Sequence, residues 1–478
     1  MAYTGFVTIL KNVHKHSNAD RLQIGECFGN SVIVSMDYIE GQLGVYFPVD
    51  GQLSEEFCKA NDLIRRKDEN GNYCGGYLDP EKRNIKALKL RGEKSDGLFL
   101  PLTCLADFCK ISDLKEGDTI SVLNGKEICK KYIPKRNYAS HAYHGGNGKR
   151  AKANFAPTFY EHVDTAQLAY NLGEFKTGDI VELTLKMHGT SGRTGYLPLH
   201  RRKPQTIWDK IRRRPGKEYV EYGYVTGTRR VVLDDKHDGG YYDDNSFRHD
   251  MAKKFEGKLR KGEVVYYEIV GFVNENTPIM ASVKNSKIKD KEFSRQYGEE
   301  TVFSYGCSPY PHSETCYNDS TYGYQNEPVE IHIPQCEVYV YRMTMTNEDG
   351  DVVEMSPDQV RMRCEQMGVK TVPVFERFII PEYIKEYSAV DFAEDWVATT
   401  HIPVDPGEYV LRKVEEYFDG PDPIGKTHIR EGVVARIVNR PKIAVYKHKN
   451  FSFKVLEGII KDEAAEPDME EAQDESIN

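Results

Sequence analysis

Val181-Glu182-Leu183-Thr184-Leu185-Lys186-Met187-His188-Gly189-Thr190-Ser191 is the stretch that decides the fold. Val181 to Leu185 has the composition of a β-strand, and the strand closes on a lysine. Two residues later a His-Gly pair marks a turn. A lysine at a strand end beside such a turn can present its amine to a bound nucleotide. Strands ending in Lys and turning at Gly are common, so this stretch gains meaning only from segments farther along the chain.

Four such segments occur in order: Tyr266-Tyr267-Glu268-Ile269-Val270-Gly271, Val338-Tyr339-Val340-Tyr341-Arg342-Met343, Glu431-Gly432-Val433-Val434-Ala435-Arg436 and Tyr446-Lys447-His448-Lys449-Asn450. The series resembles the motifs of covalent nucleotidyltransferases, the group of RNA ligases, DNA ligases and capping enzymes. Lys-x-His-Gly-Thr, together with the late Lys-x-Lys-Asn, Phe451 and Lys454, resembles the nick-sealing, ATP-dependent RNA ligases of the RNA ligase 2 type.

That resemblance implies roles for particular residues. Lys186 is the expected nucleophile, attacking the α-phosphate of ATP to give lysyl-AMP and pyrophosphate. The attack needs an unprotonated amine, whereas an ordinary lysine has a pKa of ~10.4. Burial and neighbouring cations favour the neutral form, and Lys447, Lys449 and a metal ion would supply the cations. His188 is expected to assist at the departing phosphates, Gly189 to let the backbone approach the nucleotide, and Thr190 to line the same turn. Glu268 is read at the end of its strand, in the nucleotide pocket. Glu431, at the start of a strand, is the first candidate for Mg²⁺ or Mn²⁺, with Glu268 second. Tyr341 matches the aromatic residue that stacks on adenine; Tyr339 is the fallback on the same strand face. Lys447 and Lys449 alternate and share a face, where they would stabilise phosphate charge. Arg229 or Arg230 matches an arginine that touches ribose or the nick phosphate, with Arg229 preferred.

Three positions depart from the family pattern. Ser191 stands where related ligases often have Asn, Leu185 where an acidic residue is frequent, and Arg342 where many have Asp. The role of Ser191 stays open, and adenine would be read by backbone or by another group.

The rest of the chain bounds this reading. Its 478 residues allow two or three domains. A net charge of -9 argues against a globally basic coat without excluding a local basic groove. Ten cysteines are scattered without a Cys-x-x-Cys pair, so reduced thiols and no bound zinc are expected. No signal-peptide run or membrane-length apolar segment is present, which points to a soluble, cytoplasmic protein. A monomer is the expected state.

Residues 1–130 read as short strands near 6–10, 22–27, 31–35, 44–47, 85–90 and 119–122, with turns at Gly29-Asn30, Asp50-Gly51 and Asp96-Gly97. An OB-like β-barrel that binds nucleic acid is expected. Asn12 to Leu22 resembles the opening of tRNA-binding OB modules, although His14 and His16 also fit a surface turn. Residues 131–155 are a basic linker that could track a phosphate backbone. Residues 156–461 mix strands with helices, including a capped start at Ser356-Pro357-Asp358-Gln359 and a helical pattern over 409–418. The fold class is therefore α+β, with antiparallel sheets and helices in the nucleotidyltransferase domain. Residues 306–327 read as a surface insertion and 462–478 as an acidic disordered tail. Thirty-one tyrosines suit both β-sheet and base stacking.

The basic run His200-Arg201-Arg202-Lys203, continuing through Lys210, Arg212, Arg213, Arg214 and Lys217 with Trp208 and Tyr219, suits RNA contact or a solvated loop. The domain order resembles RNA ligases with an N-terminal OB domain and disfavours DNA ligases and capping enzymes. The expected activity joins a 5′-phosphate to a 3′-hydroxyl at nicks in RNA-containing duplexes. A DNA ligase and an inactive RNA-binding relative are the alternatives, and nicks with RNA or DNA at the 3′-hydroxyl end separate the first of these.

Overall fold

The computed structural model describes residues 3–71, 73–133, 156–163, 165–205, 207–212, 215–233, 246–317, 328–388 and 398–463. Nearly all of the basic linker and of the acidic tail lies outside the described residues. Two compact units emerge: Met1–Ser140 with Asn450–Asn478, and His141–Lys449.

In the first unit, Leu98–Pro101, Leu43–Phe47, Gly5–Ile9 and Thr119–Ile120 form a four-stranded sheet in that order. Lys11–Lys15, Leu22–Cys27 and Asn30–Ser35 form a three-stranded one. Alternating apolar residues drive Val7, Val45, Phe47 and Ile120 into one core with Phe57 and Leu105. The short strands expected from the turn signals are present. The expected barrel is not closed: among the described residues these strands remain in separate sheets. His16 is buried, with Nε2 3.1 Å from the Leu90 carbonyl and Nδ1 accepting from the Asn18 amide. It ties its turn to the strand pair below, whereas His14 stays exposed. The helix Phe451–Glu463 belongs to this unit. Its Phe453 and Leu456 are buried, Lys454 Nζ is 2.5 Å from Asp96, and Lys94 lies over the Phe451 ring.

The second unit is mixed α/β and rich in sheet. A five-stranded sheet runs Ala166–Gln167, Ala444–Lys449, Gly432–Ile437, Ile180–Lys186, Val374–Ile379. A larger, eight-stranded sheet has Glu218–Gly227, Thr190–Arg202, Glu263–Asn274 and Cys336–Thr346 at its centre. Pro357–Met367 is a helix with a reciprocal capping box between Ser356 and Gln359. It packs Val360, Cys364 and Met367 into the core with Val338 and Val340. Pro406–Glu415, capped by Asp405, buries Val410 and Val414 against the five-stranded sheet. The 306–327 segment opens on buried Cys307 and continues as a strand, His312–Tyr317, paired with Pro328–Ile333; residues 318–327 lie outside the described residues. Among the described residues no helix is long and apolar enough to cross a membrane.

Candidate active site

Lys186 ends the strand Ile180–Lys186 of one sheet, and Thr190 begins a strand of the other. In between, Met187-His188-Gly189 crosses from the five-stranded sheet, where Lys186 pairs with Gly432, to the eight-stranded sheet, where Thr190 pairs with Ile269. The crossing is tight. A Cβ on Gly189 would fall 2.4 Å from the Ile269 carbonyl and 2.9 Å from the Glu268 side chain. Gly189 is therefore required for the close approach of the two sheets.

The same geometry gathers the charged groups. Gly432 lies between Lys186 on one neighbouring strand and Lys449 on the other. Glu431 precedes Gly432, so its carboxylate meets both lysines. Lys186 Nζ is 2.6 Å and Lys449 Nζ 3.5 Å from its Oε1, while His188 Nδ1 is 3.9 Å from its Oε2. The Glu431 side chain is only 2 % exposed. Lys447 sits two residues before Lys449 on the strand Ala444–Lys449. Burial, then the charges of Lys186 and Lys449, push its amine down to about 7, with Glu431 pulling the other way. Arg229 adds to that cationic field.

Glu268 lies within the strand Glu263–Asn274 rather than at its end, because the ladder to Cys336–Thr346 continues past it. Ser191, directly opposite, donates from Oγ to Glu268 Oε2 at 3.4 Å. Ser191 thus steadies a carboxylate, a role its sequence position left open. Both Glu268 and Glu431 act on the buried Tyr305 hydroxyl. Two hard carboxylates, Glu431 buried and Glu268 half-buried, fit a divalent cation, which commonly takes one or two such ligands and fills its remaining sites with phosphate and water. Among the described residues there is no cluster of three or more His, Cys, Asp or Glu suited to a metal, and Cys27, Cys58, Cys74, Cys104, Cys109, Cys129, Cys307, Cys336 and Cys364 are free thiols.

Tyr341 sits at a bulge: Tyr266 opposes Arg342, Tyr267 opposes Val340, and Tyr341 is the extra residue. The bulge turns Tyr341 toward His162, ring centroids 5.1 Å apart. Arg342 turns to pair with Glu354 and to lie over the Tyr266 ring. Tyr339 is buried with Lys370 over its ring. Of the two arginines, Arg229 acts on Lys447 and His162, whereas Arg230 Nε is 4.0 Å from Glu161.

Several residues of the site carried no local signal. Arg193 is 1 % exposed and donates to the carbonyls of Thr228, Phe159 and Arg230 at 2.9, 3.0 and 3.1 Å, stacking on the Phe159 ring. It anchors the turn that carries Arg229. The one hint was a basic residue among small ones in Gly192-Arg193-Thr194-Gly195. Arg248 donates to the Ser191 carbonyl at 2.9 Å and to Thr190 Oγ1 at 2.5 Å, so the Thr190 hydroxyl is engaged in bracing the turn. His162 is pushed down to about 3 by burial and by Arg342, Arg229, Arg193 and Lys447. Neither Arg248 nor His162 stands in a pattern that could have marked it.

The described part of the basic run lies on and beyond the end of the strand Thr190–Arg202. Arg201 and Arg202 extend the ladder to Glu218, beyond the part of the strand that Glu263–Asn274 covers. Each arginine is paired, with Glu221 and Glu218 respectively. Trp208 is 68 % exposed, with the Arg212 guanidinium 6.0 Å from its ring. Lys203 stands over Tyr219.

The model of the RNA ligase family matches residues 179–456. Among solved structures the chain is similar in fold to RNA ligase from Naegleria gruberi. A mutant with AMP and Mn is 13% identical, with 94% of this chain and 97% of that one covered and a TM-score of 0.51. A mutant with ATP and Mn is 14% identical, with 94% and 98% covered and a TM-score of 0.52. An apo mutant is 14% identical, with 94% and 97% covered and a TM-score of 0.51. A comparison with curated proteins finds no match.

Proposed function

Because the chain belongs to the RNA ligase family, we propose that it is an ATP-dependent RNA ligase that seals 5′-phosphate to 3′-hydroxyl ends through a lysyl-AMP on Lys186. The observation that carries this reading is the convergence on buried Glu431 of Lys186, Lys449 and His188. An isolated strand-end lysine would have no reason to meet a buried carboxylate and a second lysine at a two-sheet junction.

In the first step Lys186 Nζ attacks the α-phosphorus of ATP, the N–P bond forms, and the bond to the β-phosphate oxygen breaks to release pyrophosphate. Attack requires the neutral amine, and the Glu431 carboxylate that Lys186 touches is placed to take its proton. Lys447 and Lys449 offset charge building on the phosphates, and His188 reaches the same region from the turn. Glu431 and Glu268 would hold Mg²⁺ or Mn²⁺, which supplies Lewis-acid stabilisation of the departing phosphate; the relatives solved with ATP or AMP together with Mn are consistent with that. Tyr341 offers its ring to adenine and Arg229 its guanidinium to ribose or the nick phosphate. AMP then passes to a 5′-phosphate, and a 3′-hydroxyl attacks and expels AMP.

The substrate we assign is a nick in an RNA-containing duplex, as in ligases of the RNA ligase 2 type. The N-terminal unit serves as an OB-like nucleic-acid-binding module, and the Arg201–Lys217 segment adds cations and the exposed Trp208 for backbone and base contact. Incubation with α-labelled ATP and Mg²⁺ should give an acid-labile protein adduct that GTP does not give and Lys186→Ala abolishes. Normal labelling of Lys186→Ala would sink the assignment. Nicked duplexes carrying RNA or DNA at the 3′-hydroxyl end should be sealed only, or much faster, with RNA.

A further inference from the structure

Tyr305 is buried, and its backbone has a φ of 48°. Bulky aromatic residues rarely adopt that left-handed conformation, which persists only where surrounding structure imposes it. The Tyr305 hydroxyl accepts a 2.8 Å hydrogen bond from the backbone N–H of His188. Burial and the Glu431 charge push that hydroxyl well above its ordinary range, so it stays neutral.

A buried pair stands behind the ring. His428 meets Tyr305 edge-on at 4.5 Å, and Phe303 lies against both His428 and His188. The His428 and Asp422 side chains are 0 % exposed. His428 Nδ1 is 2.9 Å from the Ile429 carbonyl, so that nitrogen carries a proton, and Nε2 faces Asp422 Oδ2 at 3.7 Å. Asp422 Oδ1 accepts from the amides of Ile424 and Gly425, and the Asp422 amide donates to the His428 carbonyl. A Cβ on Gly425 would lie 2.7 Å from the Gly306 nitrogen, so this loop abuts the Tyr305 turn. The loop then runs on to Arg430, held by the carbonyls of Pro421 and Tyr417, and to Glu431.

We infer that Tyr305, backed by the His428–Asp422 pair, is a positioning residue for adenylylation: one buried scaffold holds the His188 turn through the Tyr305 hydroxyl and Glu431 through the loop that precedes it. This rests on the reading of Lys186 as the nucleophile. Tyr305 touches neither nucleotide nor metal in this scheme; it acts through His188. A ring that merely filled the core would be replaced by phenylalanine without loss.

Tyr305→Phe keeps the ring and removes only the hydroxyl that accepts from the His188 amide. The rate of lysyl-AMP formation should fall about tenfold in a protein that still folds, with thermal stability lowered by no more than the loss of one hydrogen bond. In a His188→Ala background the same substitution should cost less than twofold, because the group it positions is gone. An unchanged rate, or the same factor in both backgrounds, would overturn the inference. Hydrogen exchange supplies a readout independent of catalysis: the peptide containing the His188 amide should exchange faster in Tyr305→Phe than in the parent. Unchanged exchange would also overturn it. If the parent protein forms no adduct with ATP and Mg²⁺ or Mn²⁺, the ligase reading fails, and the exchange result still decides whether Tyr305 anchors the turn.

Discussion

Lys447 is the residue whose chemistry depends most on its neighbours. Its alternation with Lys449 was readable from Lys447-His448-Lys449, but its burial among cations was not, since Lys186 and Arg229 are distant in sequence. With its amine pushed down to about 7, Lys447 is largely neutral at pH 8 in the ligand-free protein. Polyphosphate beside it favours the charged form. ATP binding at pH 8 should therefore take up part of a proton, and affinity should weaken as pH rises above 7. Calorimetry in buffers of different ionisation enthalpy should show that uptake, and Lys447→Met should lose it; buffer-independent heats would refute the assignment. His162 gives a second pH dependence with a defined sign. Its folded value is depressed to about 3, whereas a histidine in the unfolded chain titrates near 6.5. Its contribution is present above pH 6.5 and is lost as pH falls toward 3. Denaturation from pH 7 to 5 should show a shallower loss for His162→Gln than for the parent, and identical slopes would exclude His162 as a source.

The elements that form the site were legible where one strand carried its own signal. The apolar run before Lys186, the β-branched run after Glu431 and the Ser-Pro helix start all declare themselves locally, and each lies where the pattern placed it. What joins the elements was not legible, because it depends on side chains that reach across sheets. Arg193 shows why. From the strand Thr190–Arg202 it satisfies three carbonyls, two of them in the turn that presents Arg229. A lysine there has no planar fork and cannot reach all three. Arg193→Lys should leave buried carbonyls unpaired and cost roughly 2–4 kcal/mol in denaturant unfolding. It should also raise the KM for ATP, because the Arg229 turn would lose its anchor. A variant as stable as the parent would show that the three hydrogen bonds contribute nothing net.

At the scale of the molecule, the sequence motif and the packing divide the chain differently. The late motif reads continuously from Lys447 to Lys454, yet the chain passes from one compact unit to the other between Lys449 and Asn450. Sequence adjacency could not reveal this, because the partners of the final helix lie more than 300 positions earlier. Lys454 meets Asp96 at 2.5 Å, with Asn30 at 3.5 Å. Asp96 is 8 % exposed and its Oδ1 has no hydrogen-bond partner, so Lys454 is the charge that offsets it. Lys454→Met should leave a buried carboxylate uncompensated and destabilise the N-terminal unit by about 3 kcal/mol. Adding Asp96→Leu should recover most of that loss, since an apolar pair needs no compensation. Self-adenylylation should survive in both variants, because Lys186, Glu431, Lys447 and Lys449 all belong to the other unit. If the N-terminal unit holds the polynucleotide, as proposed, nick sealing should fall in Lys454→Met and return in the double variant. The two activities and the unfolding curve, measured on the full chain, separate the possibilities. If lysyl-AMP formation collapsed in a stably folded Lys454→Met protein, Lys454 would belong with the nucleotide chemistry, as the continuous motif suggested, and its pairing with Asp96 would be incidental.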